Sequence, residues 1–166
     1  MKKFLVLYLT VVAALSGCKK DNCTPEQNIA VFGKDRAITT YYYQADDYRF
    51  YSVHSGENLV FRYSHTRAEC EDVLDDEYGF NFDFEIDKAA DKFRFEGSEL
   101  ALTKGVVLEF GAWVSNQYQN IGSGLIEGSK ISANQWRVKA DVTTTPLRPD
   151  QQPKRITFDR VFTLEQ

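Results

Sequence analysis

The sequence predicts an all-β domain, an antiparallel β-sandwich of about eight or nine short strands. Three observations carry that expectation. Phe80-Asn81-Phe82-Asp83-Phe84-Glu85-Ile86-Asp87 alternates apolar and polar residues without a break, the pattern of a strand with one face on a core and one in water. Turn residues recur at short intervals: Ser55-Gly56, Glu96-Gly97-Ser98, Lys104-Gly105, Asn120 to Gly124, and a loop with Pro146, Pro149 and Pro153. Helical periodicity is nearly absent, and only Asp87–Asp91 is a candidate for a single helical turn.

At the N-terminus, Met1-Lys2-Lys3 precedes the apolar run Phe4–Leu15. That run is shorter than the ~20 residues a spanning helix needs. It suits the apolar core of a secretory signal, roughly 7–15 residues long. Leu15-Ser16-Gly17-Cys18 follows, and it resembles the lipobox of bacterial lipoproteins. The resemblance implies that residues 1–17 are a cleaved signal peptide. It also implies a diacylglycerol on the Cys18 sulfur and, in the usual case, an acyl chain such as palmitate on the new amino group. Several acyl chains together make a lasting membrane anchor, where one gives only marginal binding. Lys19 and Lys20 stand where two-membrane envelopes place the aspartate of an inner-membrane retention signal. The expected location is therefore the outer membrane, facing the periplasm or the outside.

Residues 18–28 are polar, contain Pro25, and read as a lipidated tether. The sandwich domain is expected over 29–166. Its candidate strands are Ala37–Tyr43, Tyr48–His54, Leu59–His65, Phe80–Asp87, Lys92–Glu96, Glu99–Leu102, Val106–Ser115, Trp136–Thr143 and Ile156–Leu164. Lipocalin-like barrels carry Gly-x-Trp near the first strand, and the early strands here have none, which favours a sandwich. The C-terminal third combines a Gly-rich turn, a strand with Trp136, a Pro-bearing loop and a Phe-rich last strand. In this it is similar to small Ig-like lipoproteins of Gram-negative bacteria. That likeness implies an Ig-like architecture and no particular function.

Composition narrows the partners. The full chain carries a net charge of −4, and its 20 basic residues include Lys2 and Lys3, so the processed chain is more acidic still. An acidic domain without a basic run has no electrostatic footprint for nucleic acid or for anionic headgroups. With Cys18 committed to lipid, Cys23 and Cys70 remain, and an even pair in an oxidising compartment is expected to form a disulfide. The alternative is two free thiols, should Cys23 lie in the tether out of reach of Cys70. The spacing lacks the close cysteine or histidine pair of a zinc site, so no metal centre and no cofactor are expected.

Little else points to chemistry. Glu69, Glu71, Asp72, Asp75, Asp76 and Glu77 crowd around Cys70, but without an Asp-x-Asp-x-Asp-Gly loop they read as a solvated connection. Calcium stays open there as an alternative. His54 and His65 end neighbouring candidate strands and lack an evident third ligand. The domain has neither a Gly-x-Ser-x-Gly elbow nor a phosphate loop, so no enzymatic activity is expected. Tyrosines are the remaining signal. Three in a row, Tyr41, Tyr42 and Tyr43, force at least one ring off the core of a strand, and Tyr48, Tyr51, Tyr78 and Tyr118 lie near turns. Two functions follow as expectations: a non-catalytic interaction module of the envelope, or a lipoprotein that binds a glycan or small ligand, with or without the help of calcium. Partners are the membrane, through the lipid, and a protein or glycan.

The lipobox reading makes a direct prediction. Cys18→Ala should leave an uncleaved, unlipidated precursor in the mass spectrum of the membrane fraction, and normal processing of that variant would overturn the assignment.

Overall fold

The computed structural model describes residues 22–71, 73–149 and 151–165, so the signal peptide expected over 1–17 and the expected lipidation site Cys18 lie outside the described residues. Ten strands follow in chain order: β1 (Cys23–Thr24), β2 (Gln27–Tyr43), β3 (Tyr48–Thr66), β4 (Glu69–Cys70), β5 (Tyr78–Asp87), β6 (Lys92–Glu96), β7 (Val106–Gly111), β8 (Tyr118–Ser132), β9 (Gln135–Thr144) and β10 (Arg155–Leu164). The fold is the all-β sandwich expected from the sequence. One layer is β2-β3-β5-β7 and the other β10-β9-β8-β6, hydrogen-bonded within each layer. Short pairings join the layers at both edges. Val106, Val107 and Leu108 of β7 pair with the start of β8, and Thr163 and Leu164 of β10 run parallel to Val31 and Phe32 of β2. That parallel step is the one departure from antiparallel pairing among the described strands.

Alternation fills the space between the layers. Phe61 on β3 is its centre, with ring centroids of Phe84 at 5.0 Å, Phe32 at 5.4 Å, and Trp136 and Phe162 at 5.6 Å. Trp136, Val138, Ala140 and Val142 of β9 all point inward while their neighbours Arg137 and Lys139 face water. Large rings at edge-to-face and offset angles give such a core its density and a single arrangement.

Several expected boundaries change. Ala37–Tyr43 is the second half of one long strand, β2, and Tyr48–His54 and Leu59–His65 are both parts of β3. Ser55-Gly56 is a bulge inside that ladder, where the register shifts around Arg36. Glu99–Leu102 lies in a 3-10 helix, Gly97–Thr103, that sinks Leu100 into the core. Asn120 to Gly124 continues through β8, because the glycine lets two strands approach closely: a Cβ on Gly124 would meet Asp141 O at 2.1 Å. Val106–Ser115 stops at Gly111, and Asp87–Asp91 is a hydrogen-bonded turn with Ala90 N on Asp87 O. The expected tether also contributes structure. Cys23–Thr24 forms β1 against β4, and β2 begins at Gln27.

The bulge has a large consequence. Beyond it the outer half of the β2–β3 hairpin, Ala37–Tyr43 with Tyr48–His54, doubles back as an arm across the outer face of β3, β5 and β7. Asp35 takes a left-handed φ of 53° at the bend, and Gly56 is so close to the partner strand that a Cβ would sit 2.4 Å from Ala37 Cβ. Ile38, Val60, Val106 and Tyr118 form a second, smaller core beneath the arm, with Tyr51 and Val53 packed on it. Polar residues of β5 read from sequence as its water face are thereby buried: Asp83 is 0% exposed and Glu85 4%.

Both carboxylates are fully engaged. Arg62 donates Nε and Nη2 to Asp83, each at 2.8 Å, and Tyr51 OH adds a third hydrogen bond at 2.6 Å. Glu85 accepts from Ile38 N at 2.7 Å and Asn58 Nδ2 at 2.9 Å, and Lys104 Nζ closes on it at 2.7 Å. Burial, then the Asp83 charge, pushes the Tyr51 phenol well above its ordinary range, so it stays a donor. At the other end of the sandwich, Cys23 and Cys70 form the expected disulfide across β1 and β4, with a sequence separation of 47. In the chain-entropy account a loop of that length contributes about 4 kcal/mol.

Removing one member of a buried ionic group exposes its cost. Asp83→Ala leaves Arg62 and Tyr51 without their acceptor and should lower the unfolding free energy by about 2–4 kcal/mol in urea titrations. A change within about 0.5 kcal/mol, the usual range for surface substitutions, would show that the arm does not depend on this group.

Candidate functional site

The arm sorts its side chains by strand alternation. Tyr51 and Val53 face the sheet, and the opposite face carries Thr39, Tyr41 and Tyr43 from β2 with Tyr48, Phe50, Ser52 and His54 from β3. Tyr41 and Phe50 are directly paired across the strands, their rings 4.5 Å apart and 8° from parallel. Tyr43 stacks on the same phenyl ring at 5.5 Å and Tyr48 at 6.5 Å. The result is an exposed aromatic ladder on a rigid two-stranded support. Each of the three tyrosines thus has one ring face stacked on Phe50.

The tip of the arm is anchored. Arg49 N donates to Gln117 Oε1 at 3.0 Å, on the loop between β7 and β8. Tyr42 OH donates to Asp47 Oδ1 at 3.1 Å, and that hydrogen bond is the main reason its phenol titrates above the ordinary range. The tip lies at the same end of the sandwich as the Cys23–Cys70 bridge, because Gly111 of β7 pairs with Tyr78 while Thr66 of β3 pairs with Gly79 and Gln27. A groove of about 270 Å³ runs under the arm, lined by Val53, Val60, Arg36, Arg62 and Glu165 among others.

The other sequence candidates separate. Tyr118 is buried in the small core, edge-on to Tyr51 at 6.1 Å. His54 bonds Thr39 Oγ1 at 2.7 Å by the bend, whereas His65 at the far end of β3 meets Asn28 Oδ1 at 3.1 Å and Glu26 at 3.6 Å. The two imidazoles thus share no site. In the acidic stretch, Glu69, Asp76 and Glu77 bring one carboxylate oxygen each within 4.8 Å of the others. Asp76 Oδ2 caps Cys70 N at 2.8 Å, and Glu71 bonds Asn22. Asp72 lies outside the described residues. Three oxygens are half or less of what calcium takes.

One polar cluster had no sequence signal. Lys154, just ahead of β10, hydrogen-bonds Glu109 Oε1 at 2.8 Å and also the Tyr78 hydroxyl, which itself donates to Glu109. Gln119 Nε2 reaches Glu109 Oε2 at 3.2 Å, and Thr144 Oγ1 completes the chain on Gln119 Oε1 at 2.7 Å. Lys154 Nζ also sits 4.0 Å from the Phe80 ring centroid. A lysine beside a tyrosine and a glutamate has the makings of acid–base chemistry, yet each group here is occupied by the others. Burial, reinforced by Glu109, raises the Tyr78 phenol, and burial pulls the Lys154 ammonium down against the attraction of Glu109. Partial burial works to raise the Glu109 carboxyl, but the hydrogen bonds from Lys154 and Tyr78 and the lysine charge outweigh it and hold it below the ordinary range.

A carboxyl whose folded pKa is depressed stabilises the fold above its unfolded pKa, and that contribution is lost as pH falls through the folded value. The wild-type protein should therefore lose stability in acid from about pH 4 downward, the unfolded glutamate range. Glu109→Gln should flatten part of that decline and lower neutral-pH stability by about 1–2 kcal/mol, the partly exposed pair being worth less than a fully buried one. Urea titrations at stepped pH check both, and an unchanged acid limb would remove Glu109 from the account. Compared with known proteins, the chain matches no family model, no curated protein and no solved structure.

Proposed function

We propose that this protein is a non-catalytic interaction module of the bacterial cell envelope, held in the outer membrane by lipid on Cys18 and making contact through the outer face of its arm. The observation that carries this reading is the Tyr41–Phe50–Tyr43–Tyr48 ladder. Three exposed tyrosine rings stacked on a half-buried Phe50, on a support braced by buried ionic groups, are a preorganised contact surface of the kind that anchors protein partners. Tyrosine suits this role because the ring is large and stiff and its hydroxyl still bonds at the rim. The mutual satisfaction of Tyr78, Glu109 and Lys154 supports a structural role for that cluster.

A photo-crosslinking residue placed at Tyr43 of the full chain in cells tests the reading, with one at exposed Lys139 on the opposite layer as the control. A discrete adduct is expected from Tyr43 alone. Tyr48→Ser should weaken its formation by about tenfold or more, as loss of an interface anchor does. Equal adducts from both positions, or none from either, would overturn it.

A further inference from the structure

The two most exposed large apolar side chains among the described residues are Leu74, 92% exposed, and Trp113, 90% exposed. They belong to two loops tied together at one point. Leu74 lies between β4 and β5, on a loop whose base is fixed by the Cys23–Cys70 disulfide and by Asp76 on Cys70 N at 2.8 Å. Val73 beside it is also exposed and donates its N–H to Cys70 O at 3.0 Å. Trp113 lies between β7 and β8, immediately after Ala112, whose N–H bonds Glu77 O at 3.2 Å. Its φ is 66°, a left-handed conformation that bulky residues rarely adopt.

We propose that Leu74 and Trp113 dock on the bilayer surface that receives the Cys18 lipid, an inference resting on the lipoprotein reading above. Its warrant is where the described chain begins. Only five residue steps separate Cys18 from Cys23, at most about 18 Å at the ~3.3–3.6 Å per residue of an extended chain. Cys23 is bonded to Cys70, and Val73 and Leu74 follow that cysteine closely. The lipid anchor therefore holds this end of the sandwich, and no other, against the headgroups. Tryptophan is the residue that settles at such an interface, with an apolar ring and an N–H for the headgroup layer. Charge selects the lipid. Glu69, Glu71, Asp75, Asp76 and Glu77 border Leu74 and outnumber Lys19 and Lys20 of the tether, so the tip favours zwitterionic headgroups and is repelled by anionic ones.

Tryptophan fluorescence of the full, naturally processed protein tests this in phosphatidylcholine vesicles with acyl chains brominated near the headgroups. Trp136 is 1% exposed in the core and beyond the reach of lipid, so quenching reports Trp113. Bromolipid should quench the wild type, and Trp113→Phe should abolish the effect. Leu74→Asp, at a side chain surrounded by solvent, should reduce it without unfolding the domain, as should added phosphatidylglycerol at low salt. The mass of the same preparation reports the lipid on Cys18. Lipidated protein without quenching would overturn the docking and leave the lipoprotein reading standing. An unmodified Cys18 would overturn that reading and the docking with it. Emission that shifts with protein concentration and ignores bromolipid would give the tip to a second copy of the chain and overturn the proposal.

Discussion

Two carboxylates with nowhere to go but under the arm dictate much of this structure. Asp83 and Glu85 stand on the outer face of β5, where a simple sandwich would leave them in water. Here the doubled-back hairpin covers them. A buried carboxylate is tolerated only with its lone pairs filled. The arm supplies Tyr51 OH and Ile38 N, β3 supplies Arg62 and Asn58, and Lys104 closes the set from the turn before β7. Apolar packing alone would let a hairpin of this length swing about its bulge. Directional bonds to two fixed carboxylates give it one position, and the small core of Ile38, Val60, Val106 and Tyr118 adds the favourable burial that holds it there.

That fixed position accounts for the exposed ladder. With Tyr51 and Val53 committed inward, the strand period leaves Tyr41, Tyr43, Tyr48 and Phe50 together on the opposite face. Cross-strand stacking then gives each ring a partner and limits the apolar surface shown to water. The β7–β8 and β2–β10 pairings join the two layers and close those edges of the sandwich, whereas over Ala37–Tyr43 and Tyr48–His54 the arm strands have no ladder partner but each other among the described residues.

How much of this the sequence shows depends on whether local pattern and tertiary context agree. Strands β9 and β10 were legible because each has one face in the core and one in water, so Trp136, Val138 and Phe158 declare themselves by period. The strand Phe80–Asp87 was equally plain, but its second face was not. Asp83 and Glu85 look the same in sequence whether water or an arm lies over them, and what decides is a hairpin more than twenty residues upstream. Gly122 and Gly124 misled in the other direction, reading as a turn where close strand approach requires glycine. The tyrosine run correctly announced rings off the core, while the fate of Tyr118 depended on the same fold-back. Lys154 and Glu109 meet across a gap of 45 residues, between β7 and the loop before β10, and no local period marks that. Trp113 fell inside an expected strand, and its exposure follows from that strand ending at Gly111.

The geometry also links the two ends of the argument about place and contact. The arm springs from the bend at Arg36 and Gly56, far from the disulfide, but its return carries the tip to Gln117, on the loop that bears Trp113. Had the hairpin continued straight, its aromatic face would stand at the end of the sandwich remote from Cys23. Folded back, it lies along the flank with its tip toward the tether. On the lipoprotein reading, a partner seated on the ladder is thus held close to the same bilayer as the lipid. On that reading, a partner confined to the same surface would meet the ladder at a raised effective concentration, so that a modest aromatic patch would suffice to hold it.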